Sequence, residues 1–187
     1  MSSLRLFVAV DVPRDLLLAV DARLQPLHSR VEGARWAPIE NQHVTLRFLG
    51  ATPDERLAPL VESLRSTVAR HAPFALQLGT LGTFPERGKA RVLWAGFVAP
   101  TPLVSLAQDL EPVLLSLGYG SEKRAFSAHL TLARFKVPTA VRGLTAGVDL
   151  SDLDPFTVEG VGLWRSHLSP KGARYELVDR APLRAQI

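Results

Sequence analysis

Two copies of the pattern His-x-Thr-Leu carry the strongest chemical signal in this chain: His43-Val44-Thr45-Leu46 and His129-Leu130-Thr131-Leu132. Their histidines lie 86 residues apart, one in each half of 187 residues. Both copies sit in short apolar runs, and side chains on a strand alternate between its two faces. His43 then shares a face with Thr45, and His129 with Thr131, while Val44, Leu46, Leu130 and Leu132 point the other way. Histidine titrates near neutral pH, so one ring can be neutral while the other is protonated. Such a pair can act as general base and general acid, with the two hydroxyls donating to the non-bridging oxygens of a phosphate ester. His28, His71 and His167 lack the pattern and read as structural or surface residues. A zinc site needs further ligands, yet there is no cysteine and no His-x-x-x-His spacing, so neither a metal nor another cofactor is expected.

The surroundings of the two motifs also repeat. Arg5-Leu6-Phe7-Val8-Ala9-Val10 begins 38 residues before His43, and Arg91-Val92-Leu93-Trp94-Ala95-Gly96 begins 38 residues before His129. Each run leads to a proline, Pro13 or Pro100, then to a helical stretch and the motif strand. Phe74–Gly79 and Phe156–Val161 follow 31 and 27 residues after their histidines, which reads as a duplicated strand–helix–strand–strand unit. The repeats cover about residues 1–85 and 86–187.

Strands are expected over Leu4–Val10, His43–Leu49, Phe74–Thr83, Ala90–Val98 and Phe126–Phe135, with a final hairpin of Phe156–Ser166 and Ala173–Val178. Helices are expected from Pro13 to about Arg30, and from Thr101-Pro102 to Leu117. Between them, Thr52-Pro53-Asp54-Glu55 has the form of a Thr-capped helix start running to about Arg70. Pro26 and Pro59 are candidate kinks. The stretch from Pro138 to Pro155 reads as irregular. Strands outnumber helices and pair by hairpins, so the fold class is α+β with mostly antiparallel sheets.

Apolar residues make up 47% and charged residues 21%, the mixture of a globular domain with a real core. No apolar run approaches the length of a membrane span and no signal-peptide pattern is present, so a cytoplasmic protein is expected. The net charge is +4, and 18 of the 22 basic residues are arginine, whose planar fork suits phosphate.

The sequence resembles the two-histidine (2H) phosphoesterase superfamily, and within it the RNA 2′,3′-cyclic phosphodiesterases, also called 2′-5′ RNA ligases. The resemblance is carried by Arg5–Val10, His43–Gly50, Phe84-Pro85 with Ala90–Trp94, His129–Arg134 and Ser166–Tyr175. It implies one domain over 1–187, built of two interleaved lobes: a bilobal, pseudo-twofold duplicated fold with two sheets, helices outside, and a central cleft holding both motifs. It also implies metal-independent hydrolysis of RNA 2′,3′-cyclic ends to 2′-phosphates, with weak 2′-5′ ligation as a side activity. By the same resemblance His43 donates a proton to the leaving oxygen, His129 activates water, and Arg134 contacts phosphate. Strict alternation puts Arg134 on the face opposite His129, so that role needs the strand to end or bend there. Arg47 is better placed by alternation, and Phe84 and Tyr175 are candidate stacking partners for a base, with the Ser166–Gly172 turn at the cleft rim. The partners expected are RNA ends or nucleotides, with the chain acting as a monomer. Three readings stay open beside this one: hydrolysis of small cyclic nucleotides, cleavage of 2′-5′ oligonucleotides, and a binding module without turnover.

Overall fold

The computed structural model describes residues 3–170 and 172–184. Among these, nine strands and four α-helices run in the order β1 (Ser3–Asp11), α1 (Arg14–His28), β2 (Ala34–Trp36), β3 (His43–Pro53), α2 (Leu57–Val68), β4 (Phe74–Phe84), β5 (Ala90–Val98), α3 (Thr101–Ser116), β6 (Leu130–Thr139), α4 (Arg142–Thr145), β7 (Phe156–Val158), β8 (Gly160–Ser169) and β9 (Gly172–Pro182). They form two sheets, of order β3-β1-β8-β9 and β2-β6-β5-β4-β7. Every registered strand pair is antiparallel, so the α+β expectation holds.

Each sheet mixes both halves of the chain, and the duplication shows in the neighbours. The first strand of each half, β1 or β5, lies between that half's motif strand and one strand from the other half: β3 and β8 flank β1, while β6 and β4 flank β5. The equivalent of β4 is therefore β8, not the Phe156–Val161 segment that the sequence repeat suggests. That segment divides at Glu159, where the chain leaves β7 beside β4 and enters β8 beside β1. An expected single strand is thus two strands in different sheets, β7 of 3 residues and β8 of 10.

Alternation in β1 separates two environments. Leu6, Val8 and Val10 join the main core, whereas Phe7 and Ala9, equally buried, lie on the opposite face. The helices reach the core through apolar stripes at helical spacing, such as Leu103, Leu106, Leu110 and Leu114 of α3. Burying each of those leucines stabilises the fold by roughly 1.5–3 kcal/mol. No helix among the described residues is long and apolar enough to cross a membrane.

Several boundaries differ from the sequence expectation. The Thr52 cap does not form: β3 continues to Pro53 because Leu4 and Ser3 of β1 pair with Thr52 and Pro53. Thr52 is fully buried and accepts a hydrogen bond from the Tyr119 hydroxyl at 3.3 Å. A 3-10 turn over Asp54–Arg56 precedes α2. Pro59 then falls in the first turn of that helix, where its missing N–H costs nothing. The second motif strand begins at Leu130 instead of Phe126, which leaves His129 one residue before it. It also runs on through Pro138, beyond the end of β2, on an edge where no ladder donor is required.

Candidate active site

Motif strands β3 and β6 sit in different sheets and approach each other across a cleft of about 430 Å3. His43, Thr45, Thr131, Arg134 and Tyr175 line it, together with Arg35, Trp36, Asn41, Phe48 and Lys136. His129 is not among the lining residues. It is tied to the site by Thr131, two residues on, and by charge: protonated His129 disfavours protonation of His43, and Arg134 disfavours protonation of both rings.

The two imidazoles are held in the same way. His43 Nδ1 is 2.8 Å from the carbonyl oxygen of Asn41, and His129 Nδ1 is 2.7 Å from that of Ser127, each two residues upstream. A carbonyl only accepts, so each Nδ1 must carry the hydrogen. In the neutral ring Nε2 is then the free base, and in the charged ring it is the second donor. Burial is the main cause that pulls both pKa values below the ordinary imidazole range, and it outweighs the opposing hydrogen bonds to the carbonyls.

Aromatic rings wall in both histidines. Phe7 stacks on His43 at 4.8 Å, and Tyr175 meets its edge at 5.2 Å. Phe84 meets His129 edge-on at 5.0 Å, and Trp94 lies 6.3 Å away. Trp94 lies across Gly82 of the neighbouring strand, where a Cβ would overlap the indole, so the glycine seats that ring. Phe84 packs on the imidazole without lining the cleft, unlike Tyr175, which does both.

Bulges decide which face the arginines take. In β6 the register with β5 shifts between Trp94–Thr131 and Leu93–Ala133, inserting Leu132 as an extra residue. Val92 and Trp94 share a face of β5, so their partners Arg134 and Thr131 share one on β6. This is the bend that Arg134 needed, and its side chain lines the cleft. In β3 the corresponding shifts pair Ala9 with Thr45, Val8 with Arg47 and Phe7 with Phe48. Arg47 therefore turns to the core-side face, against the alternation expected of it. It pairs there with Glu111 at 3.0 Å and Glu122 at 3.1 Å and does not line the cleft.

Phe48, five residues after His43, takes the place that Arg134 holds five residues after His129. It is 60% exposed and lines the cleft, and a reading by plain alternation had no means of finding it. No described residue of the Ser166–Gly172 turn lines the cleft, and Lys171 lies outside the described residues. Among the described residues no three His, Asp or Glu side chains gather as a metal-binding group.

Comparison with known proteins agrees with this arrangement. The family model described as LigT like Phosphoesterase matches twice, over residues 17–94 and 98–175, once in each half. An RNA 2′,3′-cyclic phosphodiesterase of Geobacillus stearothermophilus is 33% identical over 95% of this chain, which spans only 56% of that relative's length. A protein of the same name from Archaeoglobus fulgidus is 34% identical, covering 92% of this chain and 97% of its own. Among solved structures, the protein TT0787 of Thermus thermophilus superposes with a TM-score of 0.83 at 30% identity, covering 98% of this chain and 100% of the other. A duplicated fold, two matched His-x-Thr strands and a family model that fits each half in turn place this chain in the LigT-like phosphoesterase family.

Proposed function

We propose that the cleft hydrolyses the 2′,3′-cyclic phosphate at an RNA end, leaving a 2′-phosphate, the activity that the relatives' names carry. The observation that carries this reading is the matched pair of Nδ1–carbonyl hydrogen bonds, which makes Nε2 the working nitrogen of both rings. One neutral and one protonated imidazole then supply a base and an acid to the same phosphorus. Neutral His129 takes a proton from water as its oxygen bonds to phosphorus. Protonated His43 gives its proton to O3′ as the P–O3′ bond breaks, and the phosphate stays on O2′. The two proton transfers leave His129 charged and His43 neutral, and exchange with solvent resets both.

Thr45 and Thr131 donate to the non-bridging oxygens, and the Arg134 guanidinium balances their charge. Phe48 and Tyr175 offer aromatic surface to the terminal base. A single copy supplies all of these groups, so the reading includes action as a monomer. The experiment is hydrolysis of an oligoribonucleotide ending in a 2′,3′-cyclic phosphate, with chelator present and the product's phosphate position determined. A 2′-phosphate product, lost in His43→Ala and in His129→Ala, is expected. Tight binding with no turnover, or a 3′-phosphate product, contradicts the reading.

A further inference from the structure

We propose that Arg35 and Lys136 form a phosphate track that receives internucleotide phosphates upstream of the reacting end, so that RNA oligomers are taken ahead of free cyclic mononucleotides. This rests on the cyclic phosphodiesterase reading above and specifies its substrate. Arg35 lies directly opposite Arg134 in the β2–β6 register, and Lys136 follows Arg134 by two residues on β6. All three line the cleft and are exposed. Residues two apart on one face of a strand are roughly 7 Å apart, a step that suits neighbouring phosphates of an extended single strand.

Charge balance makes the case. A cyclic phosphodiester carries one negative charge, which Arg134 can match alone. Arg35 and Lys136 are then surplus to the reacting group, and no Asp or Glu among the described residues lines the cleft to neutralise them. Arg23, Arg65 and Arg180, elsewhere on the surface, each hold a carboxylate. Two like charges directly opposite on paired strands also destabilise a sheet. An edge strand that keeps Arg35 against Arg134 with no acidic neighbour lining the cleft breaks a local rule, as binding sites do. A polyanion crossing both residues relieves that repulsion.

The test compares kcat/KM for a short oligoribonucleotide with a cyclic phosphate end against the cyclic mononucleotide of the same terminal base. The wild type is expected to favour the oligomer by about ten-fold or more, with a salt dependence steeper by about 0.7 in log–log slope for each phosphate held. In the double variant Arg35→Gln/Lys136→Gln that ratio collapses, chiefly through KM, and the two salt slopes converge. Absence of oligomer preference in the wild type overturns the track, as does an equal loss on both substrates in the double variant. If the wild type turns over neither substrate, the cyclic phosphodiesterase reading fails instead. Fluorescence anisotropy with the same oligomer then decides the track alone: weaker binding by the double variant supports it, and equal affinity overturns it.

Discussion

The strand that carries His43 and the strand that carries His129 agree in their innermost geometry and part company five residues later. Both rings bond through Nδ1 to the carbonyl two residues upstream, both have a threonine two residues downstream, and both are half-buried among aromatic rings. After one bulge each, the same position holds Phe48 in the first half and Arg134 in the second. The support also differs. The Asn41 side chain donates to the Ala173 carbonyl at 2.9 Å, tying the His43 side to β9, whereas Ser127 is exposed and has no such tie among the described residues. Duplication thus supplies two imidazoles held in the same way. Divergence at that position places an aromatic ring in the cleft from the first half and a guanidinium from the second.

If the halves are equivalent at the rings, His43→Ala and His129→Ala should each lower kcat/KM by about 10^2–10^4, the range for losing a general acid or base. Steady-state rates would break the equivalence if one variant kept wild-type activity. Arg134→Gln should cost about 10^2, while Phe48→Leu should act mainly on KM. Removing the guanidinium also removes a charge that lowers both histidine pKa values, so the pH profile of Arg134→Gln should move to higher pH. In the wild type the profile of kcat/KM should be bell-shaped. Burial favours the neutral rings, so each gives up its proton at lower pH than a free imidazole, and the optimum should fall on the acid side of about 6.5. A plateau with no alkaline fall contradicts two-histidine catalysis.

Smaller effects sharpen the comparison at the walls. Gly82→Ala should destabilise by about 1–3 kcal/mol in urea titration, since the new methyl must displace Trp94. Asn41→Ala should cost about 0.5–1.5 kcal/mol and slow turnover only a few-fold, because the backbone carbonyl that orients His43 remains. Ser127→Ala should be nearly silent, and a loss as large as that of Asn41→Ala would erase the asymmetry.

Much of this was legible in local pattern. The two His-x-Thr patterns single out the rings that the fold holds alike, and the repeated spacing from Arg5 and Arg91 points to the duplication. What misled was anything that depends on a neighbouring strand. The box at Thr52–Glu55 has the residues of a helix cap, but pairing with β1 holds Thr52 in the ladder. Phe156–Ser166 looks like one strand, and only the two sheets on either side of Glu159 divide it. A period of two gives Arg47 and Arg134 each the wrong face, because it fails at a bulge.

The order of residue types by itself determined that this chain has two His-x-Thr units on a duplicated α+β scaffold, because hydrophobic alternation and spacing are properties of the chain alone. Tertiary structure decided which strands stand beside each other and that Arg134, not Arg47, reaches the cleft. A bulge is a mismatch between two paired strands, so a sequence read one strand at a time does not contain it.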